Sequence, residues 1–146
     1  MLYNLRLFIY NIFSSFFRTT SPTKFKRCGH DVDLNGPLYI NPAQVSLGDY
    51  TRLQSATRMI VHGGELSVGK YTAIGAGCTI VPANHTPTVG LPQFLTYLHI
   101  NDNERTISIG EDCWIGAGSY LLYKSEVSRG AVVGACSVVT KYIPPY

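Results

Sequence analysis

From Ile109 the chain reads in sixes: IGEDCW, IGAGSY, LLYKSE, VSRGAV, VGACSV, VTKYIP. The first place of each hexad is aliphatic: Ile109, Ile115, Leu121, Val127, Val133 and Val139. The second place is often glycine (Gly110, Gly116, Gly134), and the fifth is small at Cys113, Ser119, Ser125, Ala131 and Ser137. A period of six fits neither a helix at 3.6 residues per turn nor a simple alternating strand. It fits a parallel β-helix, in which each hexad forms one flat face and three faces close a coil. The first-place residue then points into the core. The glycine sits at the corner, where the backbone bends and a side chain would be in the way. The small fifth residue fills the corner interior. The phase runs through six hexads to the chain's end, which argues against a sandwich of short antiparallel strands joined by glycine turns.

Upstream the repeat is interrupted but recognisable. Leu34 and Ile40 open degenerate hexads, and one extra residue near Val45 and Ser46 shifts the phase. Leu47, Leu53 and Met59 carry a coil, His62-Gly63-Gly64-Glu65 reads as a corner turn with a small insertion, and phase resets at Val68. After VGKYTA, IGAGCT and IVPANH, nothing periodic follows from Thr86 to Thr106. Structureless loops of that length are usually functional or disordered, and Phe94, Tyr97 and His99 argue for the former. The expected architecture is all-β: a parallel β-helix of about five coils over residues 28–146, with the loop insertion 86–106. At the end, Ile143-Pro144-Pro145-Tyr146, the last coil's apolar edge calls for a cap or a further C-terminal piece.

Residues 1–20 precede the repeat, and Met1 to Phe17 carry the chain's helical spacing: Leu2, Leu5, Ile9, Ile12, Phe13 and Phe16. Arg6 and several Asn and Ser residues make the stretch too polar and too short for a membrane span, and it lacks a signal-peptide cleavage site. Two readings stay open. The helix caps the apolar end of the solenoid, or it lies on a membrane surface with Arg18, Lys24, Lys26 and Arg27 at the headgroups. A net charge of +3 without a basic cluster gives no reason to invoke nucleic acid. Four cysteines without a CxxC pair exclude a zinc ribbon and support no disulfide framework. Cys78 and Cys113 fall in fifth places, as small packing residues, and a reducing cytoplasm, up to its inner membrane face, is the expected compartment.

IGEDCWIGAG and VVGACSVVTKYIPPY, with Asn84-His85 immediately before a long loop, resemble the hexapeptide-repeat acyltransferases. Within them the match is to the maltose and galactoside O-acetyltransferases and to polysaccharide-modifying relatives, over roughly Leu47 to Tyr146. The resemblance implies a left-handed β-helix, a homotrimer, and acetyl-CoA in the groove between neighbouring prisms. It implies His85 as catalytic base and Trp114 beside the reacting end. Gly116 and Ala117 would line the pantetheine arm, and Ala135, Thr140 and Lys141 would make further coenzyme contacts. Asn84 counts among the coenzyme-binding residues. The hexad LLYKSE departs from the family's Pro-Gly corner and puts Lys124 there.

The chemistry agrees without the family. An imidazole titrating near neutrality suits removal of a hydroxyl or amine proton. Oxyanion donors would be backbone N–H groups of the corner Gly116 to Gly118, or Asn84 beside the base. No Ser-His-Asp or Cys-His signature suggests a covalent intermediate, so direct attack is expected. Phe94 and Tyr97 could stack on a sugar and Asp102 hydrogen-bond its hydroxyls. The reading is therefore an acetyl-CoA-dependent O-acetyltransferase acting on a sugar or glycan, with no catalytic metal. The alternatives are an amino-sugar N-acetyltransferase, a non-catalytic β-helix scaffold, and a three-histidine zinc enzyme of the γ carbonic anhydrase kind. The last is disfavoured because the histidines lack ligand-like spacing.

Overall fold

The computed structural model describes residues 21–60, 64–83, 90 and 106–146. Residues 1–20, and with them the expected N-terminal helix, lie outside the described residues, and among the described ones no helix is long and apolar enough to cross a membrane. The chain winds as a left-handed parallel β-helix. The first coil holds β1 (Arg27–Cys28) and β2 (Asp33–Leu34) and closes through a bridge at Tyr39. The second holds β3 (Val45–Leu47), β4 (Arg52–Leu53) and β5 (Arg58–Met59). The third holds β6 (Glu65–Val68), β7 (Ala73–Ile74) and β8 (Thr79–Val81). The fourth holds β9 (Thr106–Ile109), β10 (Trp114–Ile115) and β11 (Tyr120–Leu122), and the fifth β12 (Glu126–Val127), β13 (Val132–Val133) and β14 (Val138–Val139). Strand β15 (Tyr142–Ile143) opens a sixth.

Three parallel sheets make the prism's faces: β1-β3-β6-β9-β12-β15 on the first, β2-β4-β7-β10-β13 on the second, β5-β8-β11-β14 on the third. The register stacks the hexads' first places in columns. Cys28, Leu47, Val68, Ile109, Val127 and Ile143 form one. Leu34, Leu53, Ile74, Ile115 and Val133 form the next, and Met59, Ile80, Leu121 and Val139 the last. These side chains are the core.

The corners divide their work differently from the expectation. The bend falls on the fourth place, where Tyr50, Ala56, Tyr71, Asp112, Lys124 and Cys136 take positive φ. The second-place glycine answers to a close approach instead. A Cβ on Gly75 would stand 2.6 Å from the Ala117 nitrogen in the coil above, and one on Gly116 would stand 2.7 Å from the Ala135 Cα. The fifth place does fill the corner, and it also serves its polar groups. The Thr72 hydroxyl donates to the Gly110 carbonyl at 2.8 Å and accepts from the Cys113 N–H at 3.1 Å. Ser119 donates to the Gly134 carbonyl at 3.0 Å, and the Cys78 thiol to that of Gly116 at 3.3 Å.

Every departure from the six-residue phase falls on the edge between the third and first faces. Ile40 to Leu47 is seven residues, with Pro42–Gln44 as a 3-10 turn. Met59 to Val68 is nine, and Ile80 to Ile109 is twenty-nine. After each longer interruption the chain rejoins through a four-residue strand, β6 or β9, whose extra inward residues Leu66 and Ile107 are buried. The last hexad does not keep phase to the end: Ile143, four residues after Val139, pairs over Val127. That corner is cut short above Ser125, whose buried hydroxyl has no partner among the described residues.

Candidate functional site: a glycine-floored trench

The six-residue register builds a trench along the edge between the second and third faces. One wall is the outward column of the second sheet, Arg52, Ala73, Trp114 and Val132, set rung on rung. The floor is the second-place column, where Gly75, Gly116 and Gly134 present no side chain. The far wall carries Ala117 and Ala135, and the cavity measures about 560 Å³. Trp114 stands 63% exposed over it. An indole is seldom left open to water without a partner, because its apolar area is large. The glycines below are explained by packing at Gly75 and Gly116 but not at Gly134. There a Cβ would find its nearest contact, the Ser137 Oγ, at an ordinary 3.6 Å. A narrow, flexible, mostly apolar chain would fit this trench, and any side chain on the floor would fill it.

The trench brings together Trp114, Gly116, Ala117 and Ala135. Thr140 is elsewhere, in a hollow of about 190 Å³ with Val81, Ala83, Leu122 and Tyr123 on the third face. Lys141 follows it, exposed on the shortened corner. Asn84, His85, Phe94, Tyr97 and Asp102 lie outside the described residues, as do His62 and His99. The insertion that carries them leaves the chain after Ala83 and rejoins at Thr106, on the edge between the third and first faces. A wider hollow of about 790 Å³ lies on the same side one coil lower, between Tyr39, Gln44, Arg58 and Ile60.

One sequence expectation narrows. The Gly116 N–H is engaged by the Val133 carbonyl and the Gly118 N–H by that of Ala76, which leaves Ala117 as the remaining amide of that corner for an oxyanion. Lys124 turns to its own neighbour, its Nζ 5.3 Å from the Tyr123 ring centroid. The cysteines are unpaired. Burial pushes the Cys78 thiol up, with the backbone amides of Ser119 and Gly118 drawing it partly back, which suits a packing residue and not a nucleophile. The remaining histidine, His30, contributes a backbone N–H to the Asp49 carboxylate. The residues missed in the sequence are Arg52, Gln54, Gly75, Val132 and Gly134. Their signal was present, since each stands in the same hexad place as, or next to, a residue already named.

The model of the family described as bacterial transferase hexapeptide (six repeats) matches residues 106–141. The chain is 30% identical over 136 residues to the bifunctional protein GlmU of Acidithiobacillus ferrooxidans, which covers 82% of this chain and 29% of that protein. It is 26% identical over 121 residues to a galactoside O-acetyltransferase of Lactococcus lactis, covering 82% of this chain and 56% of the relative. The chain thus spans about three tenths to rather more than half the length of these relatives. A hexapeptide-repeat-containing acetyltransferase from Vibrio cholerae shares the fold with a TM-score of 0.74 at 20% identity, covering 90% of this chain and 76% of that one. That acetyltransferase has also been solved with acetyl coenzyme A, where the TM-score is 0.72 at 22% identity over 84% of this chain and 64% of that one.

Proposed function

We propose that this chain, whose residues 106–141 match the bacterial transferase hexapeptide model, is an acetyl-CoA-dependent O-acetyltransferase acting on a hydroxyl of a sugar or glycan precursor. The observation that carries the reading is the trench. Its floor is glycine in three successive coils, at Gly75, Gly116 and Gly134, beneath an exposed Trp114. The pantetheine arm of coenzyme A is a chain of that kind, and the relative bound to acetyl coenzyme A supports the choice of donor.

In this reading His85 takes the proton from the acceptor hydroxyl as the oxygen attacks the thioester carbonyl. The negative charge that develops on the carbonyl oxygen is met by the Ala117 N–H or the Asn84 amide. The carbon–sulfur bond then breaks, and the imidazolium returns its proton to the departing thiolate. Phe94, Tyr97 and Asp102 hold the acceptor. Thr140 and Lys141 serve the donor's phosphates.

The geometry gives a reason for a homotrimer. Trp114 opens on the edge between the second and third faces, and the segment that begins at Asn84 leaves from the edge between the third and first. One prism holds the two on separate edges, so a neighbouring copy is the natural way to set them face to face. The test is a thiol-release assay with acetyl-CoA against sugars and aminosugars, which also decides between oxygen and nitrogen. His85→Ala should keep coenzyme binding and lower turnover by about 10²- to 10⁴-fold. Near-normal turnover in that variant removes His85 from the mechanism.

A further inference from the structure

The trench carries polar side chains at one end. In the glycine column the coil below Gly75 presents Gln54, and in the wall column the rung below Ala73 presents Arg52. At about 4.8 Å per rung, Arg52 stands two rungs, or about 10 Å, below Trp114. It is the charged group in a lining that is otherwise apolar apart from Gln54. Its side chain is 67% exposed, and its ionic partner among the described residues is Asp33, with Nε 4.0 Å from Oδ2. That carboxylate oxygen also accepts from the Asn35 amide at 2.8 Å. An ion pair at such a distance leaves the fork of terminal N–H groups available for a second anion. A cation and an amide at one end of an apolar channel would orient a ligand by its charged end.

We infer that Arg52 and Gln54 form an anion subsite that receives a carboxylate or phosphate at the polar end of the trench. This rests on the trench being the donor groove. The favoured source of the anion is the acceptor, an acidic sugar or a sugar phosphate, because Arg52 lies two rungs past Trp114 on the side away from Ala135 and Gly134, which would line the donor's arm. The subsite would then select charged acceptors over neutral ones.

Trp114 is the chain's single tryptophan, so its emission reports on the trench alone. The probes are D-glucuronate, D-glucose, inorganic phosphate, coenzyme A and 3′-dephospho-coenzyme A, titrated against wild type, Arg52→Gln, Arg52→Lys and Asp33→Asn. Glucuronate and phosphate should bind wild type while glucose does not. Arg52→Gln should weaken both anions about tenfold or more, the usual worth of a charge-assisted contact. Arg52→Lys should lose less, and Asp33→Asn should tighten both several-fold by removing the competing carboxylate. Coenzyme A affinity should not move. If Arg52→Gln instead weakens coenzyme A and its dephospho form together, the subsite stands and its anion is the donor pyrophosphate. If only the full coenzyme weakens, the anion is the 3′-phosphate. If glucuronate and phosphate bind no better than glucose, or Arg52→Gln leaves them unchanged, the inference is wrong. Failure of wild type to bind coenzyme A would sink the donor reading while the glucuronate and phosphate arms still judge the subsite. Arg52 points outward, so the variants should melt with wild type.

Discussion

At the scale of single residues, glycines in the same hexad place carry different loads. Gly116 is required by the coil above it, because a Cβ there would stand 2.7 Å from the Ala135 Cα. Gly134, one coil further, is free of that demand. Gly116→Ala should therefore cost about 1–3 kcal/mol through overpacking against backbone that has no room to yield. Gly134→Ala should change stability by less than about 0.5 kcal/mol yet weaken coenzyme A, because its methyl group would lie on the trench floor. Thermal melts beside coenzyme titrations separate the two effects. A Gly134→Ala protein that binds coenzyme A as wild type does would mean the trench is not the donor groove. Trp114 is the counterpart on the wall: it is too exposed to be holding the fold together.

At the scale of the coil, what repeats is a hydrogen bond as much as a side chain. A fifth-place hydroxyl or thiol donates to the second-place carbonyl of the next coil, as Thr72 does to Gly110 and Ser119 to Gly134. Thr72→Val would keep the shape and strand both the Gly110 carbonyl and the Cys113 N–H, at about 1–3 kcal/mol. Ser125→Ala should be neutral within about 0.5 kcal/mol or stabilising, because its buried hydroxyl satisfies nothing among the described residues. Denaturant melts of the two variants test the ladder. Equal losses would show that these hydroxyls act through packing and not through their bonds. The cause of the contrast is the shortened corner over Ser125, where the path from Val139 to Ile143 omits two residues of the hexad.

At the scale of the whole molecule, the prism sorts its tasks by edge. The second–third edge keeps perfect phase and so yields a straight trench. The third–first edge takes every irregularity, including the 86–106 insertion. If the active site is shared between copies, Trp114→Ala and His85→Ala proteins, each inactive alone, should regain activity when unfolded together and refolded as mixed oligomers. Some interfaces would then pair an intact trench with an intact His85. Light scattering should report a trimer throughout. A monomer at micromolar concentration, or mixtures that stay inactive, would return the site to a single chain.

The hexad period by itself determined the fold, the coil number and the core. The six-residue spacing places one aliphatic side chain per face, and stacking leaves those residues one way to be buried together. The resemblance, and not the period, singled out Trp114, Gly116, Ala117 and Ala135, and the register then sets them around one trench. The period could not show how close a neighbouring coil comes to each glycine, because Gly116 and Gly134 look alike until their surroundings are built. It misread VTKYIP, because Ile143, four places after Val139, pairs over Val127 and fills the first-face column that the period reserved for a residue six places on. Arg52 and Gln54 lie some sixty residues before Trp114 in the chain and two rungs below it in space. Only the winding of the helix, which turns sequence distance into rungs, makes them the end of the same trench.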